Sequence, residues 1–382
     1  MSALTNYEMK TLAENVVNKS LRIGKRPDGT FESVRIIYNP TDPTCFKMAT
    51  MVEGECWKVG AYTVLIQQAN GRSKLYYQTA PEDSLMKMNP LGKTLAETID
   101  VNIFIGEYDD PNWSKTVADK LKIDAPIRQQ VREIIDNRKV RWLYFGWPLP
   151  RAARGYGVSV RRFRKIFFDS IKESFSNKML KLCRYYQDSL VEHDTVDIKA
   201  DDGTDLSFKI KDRRIIVDDG IISDEDWLNG DIGLNIPSGE VFVAPIEGSA
   251  YGKIYFGDVK FNSFGKAKGL WLTFDKGKIV DFKAKQGTNN FAKFLDSNSG
   301  EKDRIAELGI GCNPGAKYSN GSIIVDEKIY RTIHIAVGNN IGAYHGKNRA
   351  SSHLDMIKFM DKGKLHVDGK LVMDKGEPTV PI

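Results

Sequence analysis

The chain is poor in cysteine, with four among 382 residues, and nearly as poor in histidine, with five. Cys45, Cys56, Cys183 and Cys312 form no C-x-x-C pair, which argues against a thiolate zinc site. Scattered cysteines in a chain of this length read as reduced, buried thiols. No apolar run approaches the length of a membrane span. The opening MSALTNYEMKTLAENVV carries charges where a signal peptide needs an apolar stretch. The expected location is therefore the cytoplasm, with no membrane partner. No G-x-G-x-x-G follows a strand-like run, so the dinucleotide fingerprint is missing. GIGCNPG at 309–315 has glycines, but in the wrong spacing and context for a phosphate loop. The net charge of +6 is small for this length and does not by itself argue for nucleic acid.

What is present belongs to a soluble globular protein: 41% hydrophobic and 28% charged residues. The length exceeds one ordinary core and predicts two domains. In the first half, VRIIY at 34–38, YTVLI at 62–66, VNIFI at 101–105 and VRWLYF at 140–145 are short apolar runs separated by partly helical segments. That alternation predicts an α/β domain with a parallel sheet covered on both faces. A long helical stretch follows, roughly Ser159 to Val191. The pattern then changes to alternating runs broken by turns: LWLTFDKGKIVDFKAKQG reads as a hairpin, and KFMDKGKLHVDGKLVMDKG repeats the device. The expected fold class is α/β, with an N-terminal α/β domain over residues 1–195. A C-terminal α+β domain over residues 196–382, rich in antiparallel strands, would hold the metal-binding catalytic residues.

The scarce histidines are unevenly placed. HIAVGNNIGAYHGKNRASSHLDMI holds His334, His345 and His353, with Asp355 two residues beyond the last. On an extended segment a two-residue spacing puts His353 and Asp355 on one face, where both can reach one metal region. A buried histidine is more often a hydrogen-bonded core residue than a ligand, so spacing alone does not settle the matter. Two glutamates strengthen it. Glu240 precedes an apolar strand in NIPSGEVFVAPIEGS, with Glu247 seven residues on, and Glu307 precedes the glycine-rich loop in AELGIGCNPGA. A glutamate in an apolar segment is costly to bury unpaired. Together with the His-x-Asp pair, Glu240 and Glu307 resemble a carboxylate–histidine metal site.

The stretches GTDLSFKI, NIPSGEVFVAPIEGS, AELGIGCNPGA, HIAVG and SSHLDMI, in this order, resemble the M29 metallopeptidases, the aminopeptidase T family. WPLPRAARGYGVSVRRFRKIFFDSI is similar to the region that precedes that domain, and the resemblance covers roughly residues 140 to 360. It implies metal ligands at Glu240, Glu307, His334, His353 and Asp355. It also implies two divalent metal ions, removal of N-terminal amino acids from peptides, and a homodimer. Ligands that are all oxygen and nitrogen suit zinc, cobalt or manganese. Glu307 is the expected bridging carboxylate, and Glu240 either a ligand or the general base. One departure stands out. The family's active-site tyrosine falls by direct count on Ile341, and Tyr344 comes three residues later. Tyr344 is the candidate donor to the oxyanion, while His345 reads as solvent-exposed.

Two other readings compete. His334, His353 and Asp355 alone would make a two-histidine, one-carboxylate site for one iron, as in ring-cleaving dioxygenases of dihydroxypyridines, which share this fold. RAARGYGVSVRRFRK, Arg151 to Lys165, interleaves basic residues with Tyr156 and Phe163 as a nucleic-acid surface would. Amphipathic packing explains it better, and nucleic acid is not the expected partner.

Overall fold

A computed structural model of the chain describes residues 3–106, 109–110, 113–261 and 264–382. The chain packs as two compact units. The first runs to Phe168 and takes back Gly220–Ile236; the second comprises Asp169–Asp219 and Pro237–Ile382. The expected boundary near residue 195 followed the change of pattern. The division instead falls inside the Val160–Glu173 helix, and a later segment returns to the first unit.

The returning segment explains the difference. The first unit holds a five-stranded sheet in the order Tyr62–Gln67, Ser33–Tyr38, Val101–Ile105, Arg141–Phe145, Gly233–Ile236, parallel throughout. The four apolar runs are its first four strands. The fifth, GLNI, has four residues and no run long enough to announce itself. Within the basic segment, Tyr156 and Phe163 are buried, their rings stacked 5.8 Å apart. Arg164 pairs with Asp42 at 2.6 Å and Arg151 with Asp110 at 3.3 Å. The aromatics of that segment are core, not a platform for bases.

The second unit contains a helix that the sequence merged with its predecessor. Ser176 accepts a hydrogen bond from the Met179 amide and caps Asn177–Leu190, which buries Met179, Leu182, Cys183, Tyr186 and Leu190 at helical spacing. Two antiparallel sheets follow. The larger contains eight strands, among them both hairpins read from the sequence. Their two-residue turns, Lys276–Gly277 and Asp368–Gly369, have positive φ throughout, as type I′ turns require. The smaller sheet runs His353–Phe359, Thr332–Gly338, Ile305–Gly311, Glu240–Val243, Ile215–Asp218.

The smaller sheet explains the cost of its polar residues. Every residue of Ile305–Gly311 and Thr332–Gly338 is buried. Leu308, Ile310, Ile333, Ile335 and Val337 join the hydrophobic core. The alternate positions of these two strands are Glu307, Gly309, Thr332, His334, Ala336 and Gly338. Period-two alternation thus separates an apolar face from a face of small and ionisable residues.

Candidate metal centre

Register places the donors. Ala336 pairs with Glu307 on one side and with Asp355 on the other, so these three stand in a row across three strands. His334 lies two residues from Ala336, opposite Gly309, and His353 lies at the other end, opposite Gly338. Glu307 owes its position to a bulge. Ile305 pairs with Val337, and continuing that register would put Glu307 opposite Ile335, on the core face; the shift between Ile305 and Glu307 puts it opposite Ala336 instead. Gly309 makes room for His334: a Cβ there would meet the ring's Cε1 at 2.0 Å and Nε2 at 2.1 Å.

The side chains converge accordingly. His334 Nε2 stands 3.1 Å from Glu307 Oε1 and 3.9 Å from Asp355 Oδ1. His353 Nε2 stands 3.2 Å from Glu307 Oε2 and 3.1 Å from Asp355 Oδ1. Glu307, His353 and Asp355 each offer an atom within 4.8 Å of the other two. Donors about 2.0–2.2 Å from a tetrahedral ion stand about 3.3–3.6 Å apart, so these separations fit one. The Nδ1–H of His353 donates to the Asn339 carbonyl at 2.6 Å. That bond fixes the ring and turns Nε2 to the cluster, as the outer partner of a metal-bound histidine does.

The electrostatics also fit a cation. Burial is the largest influence on all four groups and opposes their charged forms, yet their neighbours outweigh it. Asp355 and Glu307 hold His353 well above the usual imidazole value, and Glu307 raises His334. Asp355 is drawn down to about 2 beside His353, and both histidines lower Glu307. The carboxylates thus favour positive charge at this place, as they would an ion's.

Glu240 stands in different company. It pairs directly with Asp218 across two antiparallel strands, an unfavourable juxtaposition of like charges. The ammonium of Lys328 resolves it, at 2.7 Å from Glu240 Oε1, 3.1 Å from Asp218 Oδ2 and 2.7 Å from Glu327 Oε1. Lys328 is fully buried. Burial pushes Glu240 up to about 8, Asp218 and Glu307 add to the rise, and Lys328 opposes it. Burial likewise raises Glu327 to about 8. Glu240 Oε2 is buried without a hydrogen-bond partner among the described residues.

Tyr344 closes the cluster. Its ring stacks on His353 at 4.5 Å and 19°, and meets Phe242 edge-on at 5.9 Å. Burial raises its hydroxyl pKa, and the charges of Glu307 and Asp355 raise it further. Its loop is clasped by two buried asparagines. Asn340 donates to the Ala306 carbonyl and accepts from the Asn348 amide; Asn348 donates to the Ile305 carbonyl. The loop is therefore tied to the bulge that aims Glu307. Glu247 takes part from outside, accepting from Arg213 and from the Lys347 amide. Ile341 lies just before the short 3₁₀ turn Gly342–Tyr344, and His345 just after it, exposed.

A family model for the thermophilic metalloproteases, M29, matches residues 8–378. The chain belongs to that family. Membership places it among the metallopeptidases, enzymes that hydrolyse peptide bonds with divalent metal. Solved structures that share the fold include the following two. The wild-type AmpT of Thermus thermophilus has a TM-score of 0.75 at 18% identity, covering 97% of this chain and 99% of that one. The 2,5-dihydroxypyridine dioxygenase of Pseudomonas putida KT2440 has a TM-score of 0.65 at 15% identity, with 99% of each chain covered. No curated protein sequence matches. No helix among the described residues of this M29 chain is long and apolar enough to cross a membrane.

Sequence reasoning missed Asp218, Glu327 and Lys328. VDEKIY gives no warning, because adjacent acidic and basic residues usually mark a solvated surface. A sharper reading would have asked why a lysine stands six residues before His334.

Proposed function

We propose that the chain is a metal-dependent aminopeptidase. Glu307, His334, His353 and Asp355 would hold a divalent ion, zinc, cobalt or manganese. The observation that carries this reading is the convergence of four donors, two buried and two half-buried, 3.1–3.9 Å apart in the pairs above, on one face of one sheet. A bound ion would lower the pKa of a water and polarise the scissile carbonyl. Glu240, ionised as pH rises through about 8, would take the proton of the attacking water at Oε2, its partner Oε1 being held by Lys328. The Tyr344 hydroxyl donates to the oxyanion as it forms. His353, fixed by Asn339 and by the Tyr344 ring, keeps its position through the reaction. Two ions per chain is the expectation carried by the family. Glu240, needed for the second, is engaged by an ammonium.

The reading includes a cytoplasmic homodimer. The four cysteines are buried and free, as in a reducing compartment. Trp57 and Tyr62 are 61% and 66% exposed, and apolar side chains left bare to that extent suit a subunit contact. The test is metal content by elemental analysis on untagged protein purified without chelator, combined with hydrolysis of leucyl arylamides and peptides. Zinc, cobalt or manganese with release of the N-terminal residue is the expected result. Iron, with oxygen consumption on dihydroxypyridines and no peptide hydrolysis, would replace the reading with the ring-cleaving one. Light scattering tests the dimer.

A further inference from the structure

We propose that the Lys328 ammonium permanently occupies the second cation position of this site, so that the chain binds one divalent ion rather than two. The inference rests on the metal reading above and deepens it. A second ion beside the first would draw on Glu240, the one predicted ligand outside the Glu307–His334–His353–Asp355 cluster. Its Oε1 is taken by Lys328 Nζ at 2.7 Å. The same nitrogen reaches Glu327 Oε1 at 2.7 Å and Asp218 Oδ2 at 3.1 Å. Two of the ammonium's three protons are bonded, to Glu240 and Glu327, and Asp218 completes the ring of carboxylates as an ion pair. That is the arrangement of ligands about a cation, with a covalently tethered cation at its centre.

The tether holds the ammonium there. The Lys328 amide donates to the Val325 carbonyl, and its carbonyl accepts from the Asn313 amide. Asn313 is itself locked, donating to the Ser170 and Ser238 carbonyls. The lysine side chain has 0% exposure. Displacing it would strand a buried ammonium, which costs several kcal/mol even after relaxation.

The experiment is zinc and manganese titration of the metal-free chain to saturation, with stoichiometry read by calorimetry and by elemental analysis after desalting. The wild type should take up one ion per chain. Lys328→Met should take up two, and its melting temperature should rise on metal addition by more than the wild type's does. Lys328→Arg, which keeps a cation, should stay at one. Two ions bound by the wild type would overturn the inference and leave the metallopeptidase reading intact; no ion at all would overturn both. A Lys328→Met chain that folds and still binds one ion would also overturn it. Should that variant fold only with metal present, two ions in the folded chain support the inference and one overturns it. Should it not fold at all, the wild-type stoichiometry decides.

Discussion

Gly309→Ala is a substitution of one methyl group, and its cost can be worked from the register. The new Cβ would lie 2.0 Å from His334 Cε1, 2.1 Å from Nε2 and 2.8 Å from Nδ1. Carbon atoms in good contact stand about 3.5 Å apart, so the ring must retreat by about 1.5 Å. It has little room to do so, being fully buried on one fully buried strand and packed against another. Overpacking of this kind costs about 1–3 kcal/mol, less the 0.5–1 kcal/mol that alanine gains over glycine in a strand, roughly. The metal suffers more. A displacement of 1.5 Å is most of a metal–nitrogen bond of about 2.0 Å, so His334 is lost as a ligand. Zinc affinity should fall beyond the 10–100-fold, roughly, that changes behind a ligand cost. The assays are urea unfolding of the metal-free chain and zinc titration. A double variant with His334→Ala separates the effects. It should recover stability relative to the sum of the two single changes, because the clash is gone, and recover no zinc affinity. If Gly309→Ala binds zinc as the wild type does, or the two substitutions are additive in stability, the register argument fails.

Three further outcomes are expected. Tyr344→Phe keeps the stack on His353 and should lower kcat by about 10²–10³-fold with metal content unchanged, whereas unchanged kcat would remove the hydroxyl from the reaction. Ala336→Leu should abolish metal uptake, since Ala336 pairs with both Glu307 and Asp355 and a larger side chain fills the space between them; elemental analysis reads this directly. Zinc affinity should rise with pH, because His334 and His353 have raised values in the metal-free chain and must lose their protons to bind. In that metal-free chain, each histidine's contribution to stability is complete below the unfolded value of about 6.5 and is lost as pH rises through the folded value. That of Asp355 is present above the unfolded value, about 3.9, and is lost as pH falls through about 2. A flat affinity between about pH 6 and about pH 9 would show that the two rings are not the ligands.

Much of this was legible in the sequence because it depends on short-range pattern. The four apolar runs of the parallel sheet and the two type I′ hairpins are local signals, and each is a strand or turn in the structure. His353 and Asp355 share a face because they share a strand. Glu307 was legible as a residue but not as a direction. Simple alternation from Ile305 would aim it at the core, and only the bulge, which is set by the partner strand, turns it to the histidines. The fifth parallel strand and the domain boundary were hidden for the same reason, since GLNI becomes a strand only by lying against Arg141–Phe145.

The tyrosine shows where counting along a sequence stops being geometry. By count, the family's tyrosine position holds Ile341, which suggests a damaged site. In the folded chain the reach of the loop is decided by its anchors. Asn340 and Asn348 fasten both ends of it to the Ala306 and Ile305 carbonyls, and the 3₁₀ turn between them carries Tyr344 onto the face of His353. Buried asparagines with every bond directed at backbone leave the loop few alternative paths. The site therefore keeps a phenol against its histidine, delivered three residues late by a loop tied to the same bulge that aims Glu307. Lys328 is the converse case: its place in the count is unremarkable, and only the convergence of Asp218, Glu240 and Glu327 on its ammonium shows that a surface-like residue has become the buried cation of the centre.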